Sequence, residues 1–94
     1  MLTPQDFVPL QGGHFELDAG DQGLLALSLI ETHAMTPHPS AIRAPFSLVF
    51  EGPAQPLLPQ ATYGMTHPSL GALDIFLVPV ARSPAGIRYE AVFN

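Results

Sequence analysis

The sequence predicts an all-β domain, a small antiparallel sandwich or partly closed barrel of about six strands with a short N-terminal helical turn. Two observations support this fold class: several segments alternate apolar residues with other residues, and Gly and Pro turn signals separate those segments. The chain of 94 residues is predicted to form a single domain over residues 1–94, since an independent domain usually needs at least about 50 residues.

The N-terminal part predicts a helical turn followed by two strands. Thr3 is a helix cap before Pro4 at the first helical position, and Phe7 then falls where one turn directs an aromatic ring onto the core. In "HFEL", at residues 14–17, apolar and polar residues alternate as in a half-buried strand, and "DAGDQG" follows as a turn. Residues 24–33 have no clear period, and we assign them to a strand because helical charge pairs are lacking.

The remaining strands show clearer alternation. A Pro-rich loop is expected over residues 34–44, before "PFSLVFEGP", in which Phe46, Leu48 and Phe50 face one way and Ser47, Val49 and Glu51 the other. Further strands are predicted over residues 61–66, 72–78 and 87–93, and they form a meander of two hairpins joined by the turns "HPSLG" and "RSPAG". Pro79 is expected at a sheet edge or a bulge, because proline cannot donate to a strand ladder.

Composition excludes several classes of function. The net charge is −5, with three arginines and no lysine, which argues against nucleic-acid binding because that needs clustered cations. The lack of cysteine removes disulfides and thiolate chemistry. No signal peptide is visible, and the longest apolar run, "LLALSLI", is far shorter than the roughly 20 residues of a membrane helix. We therefore expect a soluble cytoplasmic chain without a membrane or nucleic-acid partner.

The histidines are the first candidates for catalysis or metal binding. His67 and Ser69 flank Pro68, but neighbours in a turn rarely bring base and nucleophile within about 3 Å of each other. His33, His38 and His67, with Glu31 as a fourth ligand, have no strand spacing that suits a metal. His14 is expected to be solvated on the outward side of its strand. We predict no catalytic residue, no cofactor and no metal, and hence no enzyme.

The acidic residues are interpreted as structural. Asp18 and Asp21 share the loop "DAGDQG", which offers fewer alternating oxygen ligands than a calcium loop needs, so turn formation is the better interpretation. Arg88 and Glu90 are two residues apart on one strand and are predicted to form a solvated pair on the same face.

The motifs "LTPQDFVPL", "PFSLVFEGP", "PLLPQATYGMTHPSLGALDIFLVPV" and "RYEAVFN" together resemble a small family of uncharacterised bacterial domains. The resemblance covers nearly the whole chain and is weaker up to about residue 44, where the "HAMTPHP" loop departs from the pattern. It implies no catalytic residue. Its loose association with phage-tail-like and tail-collar proteins implies a structural or accessory role.

Two functions are open besides an enzyme. Because 47% of the chain is hydrophobic and only 12% is charged, we expect an interaction module that binds another protein or a second copy. The predicted contact is Val49, Phe76, Val78 and Val92. The first alternative is a small ligand-binding barrel with a pocket lined by Phe46, Phe50, Tyr63 and Phe76. The alternative to the predicted contact is that the sheet curls into a sandwich or barrel and buries both of its faces internally.

Overall fold

The computed structural model describes residues 2–36, 39 and 45–93, and it confirms the predicted all-β fold. A helical turn, α1 (Pro4–Phe7), continues as a short 3₁₀ turn and precedes the sheet. The assignment of residues 24–33 to a strand is also confirmed. The six strands are β1 (His14–Asp18), β2 (Leu24–Ala34), β3 (Phe46–Gly52), β4 (Ala61–His67), β5 (Gly71–Ser83) and β6 (Gly86–Phe93). Most of the expected loop over residues 34–44 lies outside the described residues.

The strands close into an antiparallel barrel in the order β1-β2-β3-β6-β5-β4, and β4 pairs back onto β1. The predicted meander of the last three strands is confirmed, because β5 lies between β4 and β6. Closure depends on two pairings between strands far apart in sequence, β1 with β4 and β3 with β6. A bulge between Pro79 and Ala81 interrupts the pairing of β5 with β6, which confirms the expected position of the proline.

Alternate side chains of each strand point into the barrel and fill it. Narrow barrels of this kind pack their own side chains instead of enclosing a channel. The buried apolar residues within the strands are Phe15, Leu17, Leu27, Leu29, Phe46, Leu48, Phe50, Met65, Ile75, Leu77, Ile87, Tyr89 and Ala91.

The N-terminal turn covers one end of the barrel. Phe7 is fully buried there, with its ring centroid 5.9 Å from that of Phe46 and 5.7 Å from that of Phe93. The backbone N–H of Thr3 donates to the Asp6 carboxylate at 2.8 Å, so the first turn is capped as the sequence predicts.

The loop over residues 53–60 covers the opposite end. Leu58 is buried, and its backbone N–H donates to the hydroxyl oxygen of Tyr89 at 3.0 Å. The Tyr63 hydroxyl donates to the carbonyl oxygen of Pro59 at the surface. Both ends of the barrel are therefore closed by the chain itself. Among the described residues, no helix has the length and apolar character needed to cross a membrane.

Candidate functional site

Apolar side chains collect on the outer face of the barrel, where β3, β6 and β5 lie side by side. Glu90 pairs with Val49 on one side and with Val78 on the other, so the three side chains form one row across the outer face. Phe76 precedes Val78 by two residues on β5, and Val92 follows Glu90 by two residues on β6, so both side chains lie on the same outer face. We call these apolar residues, together with Val80 at the bulge, the outer patch: Val49, Phe76, Val78, Val80 and Val92.

Three members of the outer patch are well exposed. The exposed fraction is 48% for Phe76, 53% for Val80 and 45% for Val92, while Val49 and Val78 are half-buried. The outer face of β1 is different, because its outward residues are the polar, exposed His14, Glu16 and Asp18. The outer face of β1 is therefore polar, whereas that of β5 and its neighbours carries several apolar side chains.

The predicted contact residues Val49, Phe76, Val78 and Val92 all lie on this outer face. The alternative in which both faces of the sheet are buried internally is wrong for Phe76 and Val92, because both remain exposed. A barrel closes around one face only, and the other face meets solvent or a partner. That these residues form a contact stays a prediction.

The predicted ligand pocket does not form as expected. Phe46 and Phe50 are buried inside the barrel, whereas Phe76 points outward opposite Thr62 of β4. The four aromatic residues therefore cannot line one cavity. A groove of about 320 Å³ lies instead on the outer face of β1 and β2, lined by His14, Phe15, Glu16, Leu24, Leu25, Ala26, Thr66 and Pro68.

His67 and His33 make local contacts. The Nδ1 atom of His67 accepts a hydrogen bond from the backbone N–H of Ser69 at 2.9 Å, and its ring lies 4.7 Å from that of Phe15. This bond does not involve the serine hydroxyl, so the geometry is that of a turn. His33 contacts the Glu31 carboxylate on the outer side of β2, and His14 is exposed as predicted. The remaining histidine considered as a metal ligand, at position 38, lies outside the described residues.

The acidic side chains also stabilise local structure. One Asp18 carboxylate oxygen accepts the N–H of Gly20 at 2.9 Å, which confirms the predicted turn. Nowhere in the described ranges do three His, Asp or Glu side chains gather closely enough to hold a metal ion.

Arg88 makes a different ion pair from the one predicted. It shares the outer face of β6 with Glu90, but its Nε atom lies 3.3 Å from Glu51 of β3. The correction follows from the register, since Arg88 and Glu51 are directly paired across the two strands. The Ser83 hydroxyl also donates to the Glu51 carboxylate at 2.7 Å. This hydrogen bond is the largest cause that lowers the pKa of the Glu51 carboxyl; Arg88 lowers that pKa further, and burial partly opposes both by raising it.

Comparison with protein families gives a match over nearly the whole chain. A protein-family model described as a domain of unknown function (DUF6916) matches residues 2–93. No curated protein and no solved structure matches the chain.

Proposed function

We propose that this chain, which belongs to the DUF6916 family of domains of unknown function, is a non-enzymatic protein-interaction module that binds its partner through the outer patch. One observation carries the proposal. Large apolar side chains stay exposed on the outer face of a barrel whose interior is already filled by others.

The exposure of Phe76 has no explanation in folding. The neighbouring Ile75 and Leu77 are both buried and supply the contribution of β5 to the core. In a strand whose alternation is otherwise regular, the solvent side is expected to be polar, as it is in β1. An aromatic residue held on a rigid strand suits a contact, because its burial contributes much and costs little side-chain entropy.

The energy available from this surface is appropriate for a contact. Fully burying one large apolar side chain contributes about 1.5–3 kcal/mol. Phe76, Val80 and Val92 each retain about half of their exposure, so their burial by a partner would contribute a few kcal/mol in total. That is enough to form the centre of an interface when polar contacts surround it.

The ligand-binding alternative has less support. The barrel interior holds packed side chains, and the groove over β1 and β2 is on the outer surface. The family resemblance, with its loose association with phage-tail-like proteins, favours the interaction module instead. We extend the proposal accordingly to an accessory role in a phage-tail-like assembly, as that association implies.

Site-specific photo-crosslinking in the native cells tests the proposal. A photoreactive phenylalanine analogue replaces Phe76 in one variant and Leu24 in a control variant, because Leu24 is also apolar and exposed (63%) but lies in the groove over β1 and β2. We expect a discrete crosslinked protein adduct from position 76 and none from position 24. Adducts from neither position, or equal adducts from both, would overturn the proposal.

A further inference from the structure

The outer patch contains a carboxylate at its centre. Glu90 is half-buried and lies directly between Val78 of β5 and Val49 of β3. A partner that covers Phe76 and Val92 must therefore also cover Glu90. Removing a charge from water without compensation is costly, so the partner has to supply either a cation or hydrogen-bond donors.

The charged side chains that the structure describes around the patch are mostly negative. Glu31 of β2 pairs with Val49 of β3, and Asp74 precedes Phe76 by two residues on the same face of β5. Among the described residues, Arg88 is the cation on this face, and it contacts Glu51 at 3.3 Å. Arg82 pairs with Ile87, whose side chain belongs to the core, so Arg82 lies on the other face of the β5–β6 hairpin.

We infer that the partner presents a lysine or arginine next to an apolar side chain, and that this cation pairs with Glu90 when the apolar side chain packs on Phe76. The inference rests on the proposed function and specifies the chemistry of the partner. The whole chain has the same polarity, with a net charge of −5, so a basic partner is also attracted at long range.

A second copy of the chain fits this surface poorly. A two-fold axis through the centre of the patch would bring Glu90 close to its own equivalent in the other copy. Like charges opposed in an interface strongly disfavour association. Glu90 thus keeps copies of the chain apart and selects a basic partner.

Selection from a random peptide library on the immobilised chain tests the inference. We expect the enriched peptides to contain Lys or Arg beside an aliphatic or aromatic residue. Each selected peptide should bind Glu90→Arg at least about tenfold more weakly, because the variant removes the partner of the peptide's cation and places a like charge opposite it. Binding to Leu24→Lys, a charge change in the groove over β1 and β2, should be unchanged.

Glu90→Gln provides a second variant of nearly the same shape, in case the arginine disturbs folding, and it should also weaken binding. Enrichment of peptides without cations, equal binding to both Glu90 variants and the native chain, or no enrichment at all would overturn the inference. A dimer of the native chain in sedimentation, dissociated by Phe76→Lys, would also overturn it. The proposed function would survive each of these results if position 76 still gave a crosslinked adduct in cells.

Discussion

The hydrogen bond from Leu58 to Tyr89 holds the loop over residues 53–60 on one end of the barrel, and Tyr89→Phe removes it without changing the ring. The Leu58 N–H is buried and donates to the Tyr89 hydroxyl at 3.0 Å, so the variant leaves a buried donor without its partner. Such a loss costs about 1–3 kcal/mol. In a domain of this size, each kcal/mol lowers the Tm by about 4–8 °C. We therefore expect the Tm of Tyr89→Phe to fall by about 4 °C or more.

Tyr63→Phe is a matched control for this experiment. Its hydroxyl donates to the Pro59 carbonyl of the same loop, but this bond is at the surface, where water replaces it. We expect a change in the free energy of unfolding within about 0.5 kcal/mol. Differential scanning calorimetry and urea unfolding measure both variants. Equal stability of Tyr89→Phe and the native chain would refute the account of how this end of the barrel is closed.

Three further predictions concern stability and ionisation. Gly86→Ala should destabilise the chain by more than about 1 kcal/mol in urea unfolding, because φ is +150° and a Cβ would lie 1.9 Å from the Gly52 carbonyl oxygen at the end of β3. Gly64→Ala is the control and should be neutral, because no atom lies near the added Cβ. Ser83→Ala should raise the lowered pKa of Glu51, which NMR titration of its carboxyl carbon measures. The native chain holds the stability from this lowered pKa above the ordinary glutamate pKa and loses it as the pH falls through the lowered pKa, so the variant should lose part of that stability. An unchanged pKa would contradict the assigned cause. Thr32→Val should raise the Tm, because the buried Thr32 hydroxyl oxygen has no hydrogen-bond partner among the described residues; a lower Tm would show that this oxygen is satisfied.

The strands could be predicted because their alternation is a local property. Phe15 and Leu17 in β1, or Phe46, Leu48 and Phe50 in β3, are read directly from a period of two. Closure of the barrel could not be predicted in the same way. It depends on the pairing of β1 with β4 and β3 with β6, and no turn between neighbouring segments specifies those contacts.

The same limit applies to the candidate site. Phe76, Val78 and Val92 could be placed on the outer side of their strands from alternation alone. The central position of Glu90 could not, because it depends on the register of β6 against both β3 and β5. The partner of Arg88 was predicted wrongly for this reason, since Glu51 lies beside it only after the two strands pair.

The central claim is that Phe76 serves a contact instead of the core, and the free energy of unfolding of Phe76→Lys tests it most directly. The account predicts a loss of at most about 1.5 kcal/mol, because the folded chain buries only about half of this side chain. Leu77→Ala, at the next residue and fully buried, should lose about 2–5 kcal/mol in the same urea titration. A loss in Phe76→Lys as large as that in Leu77→Ala would contradict the account and assign Phe76 to the core.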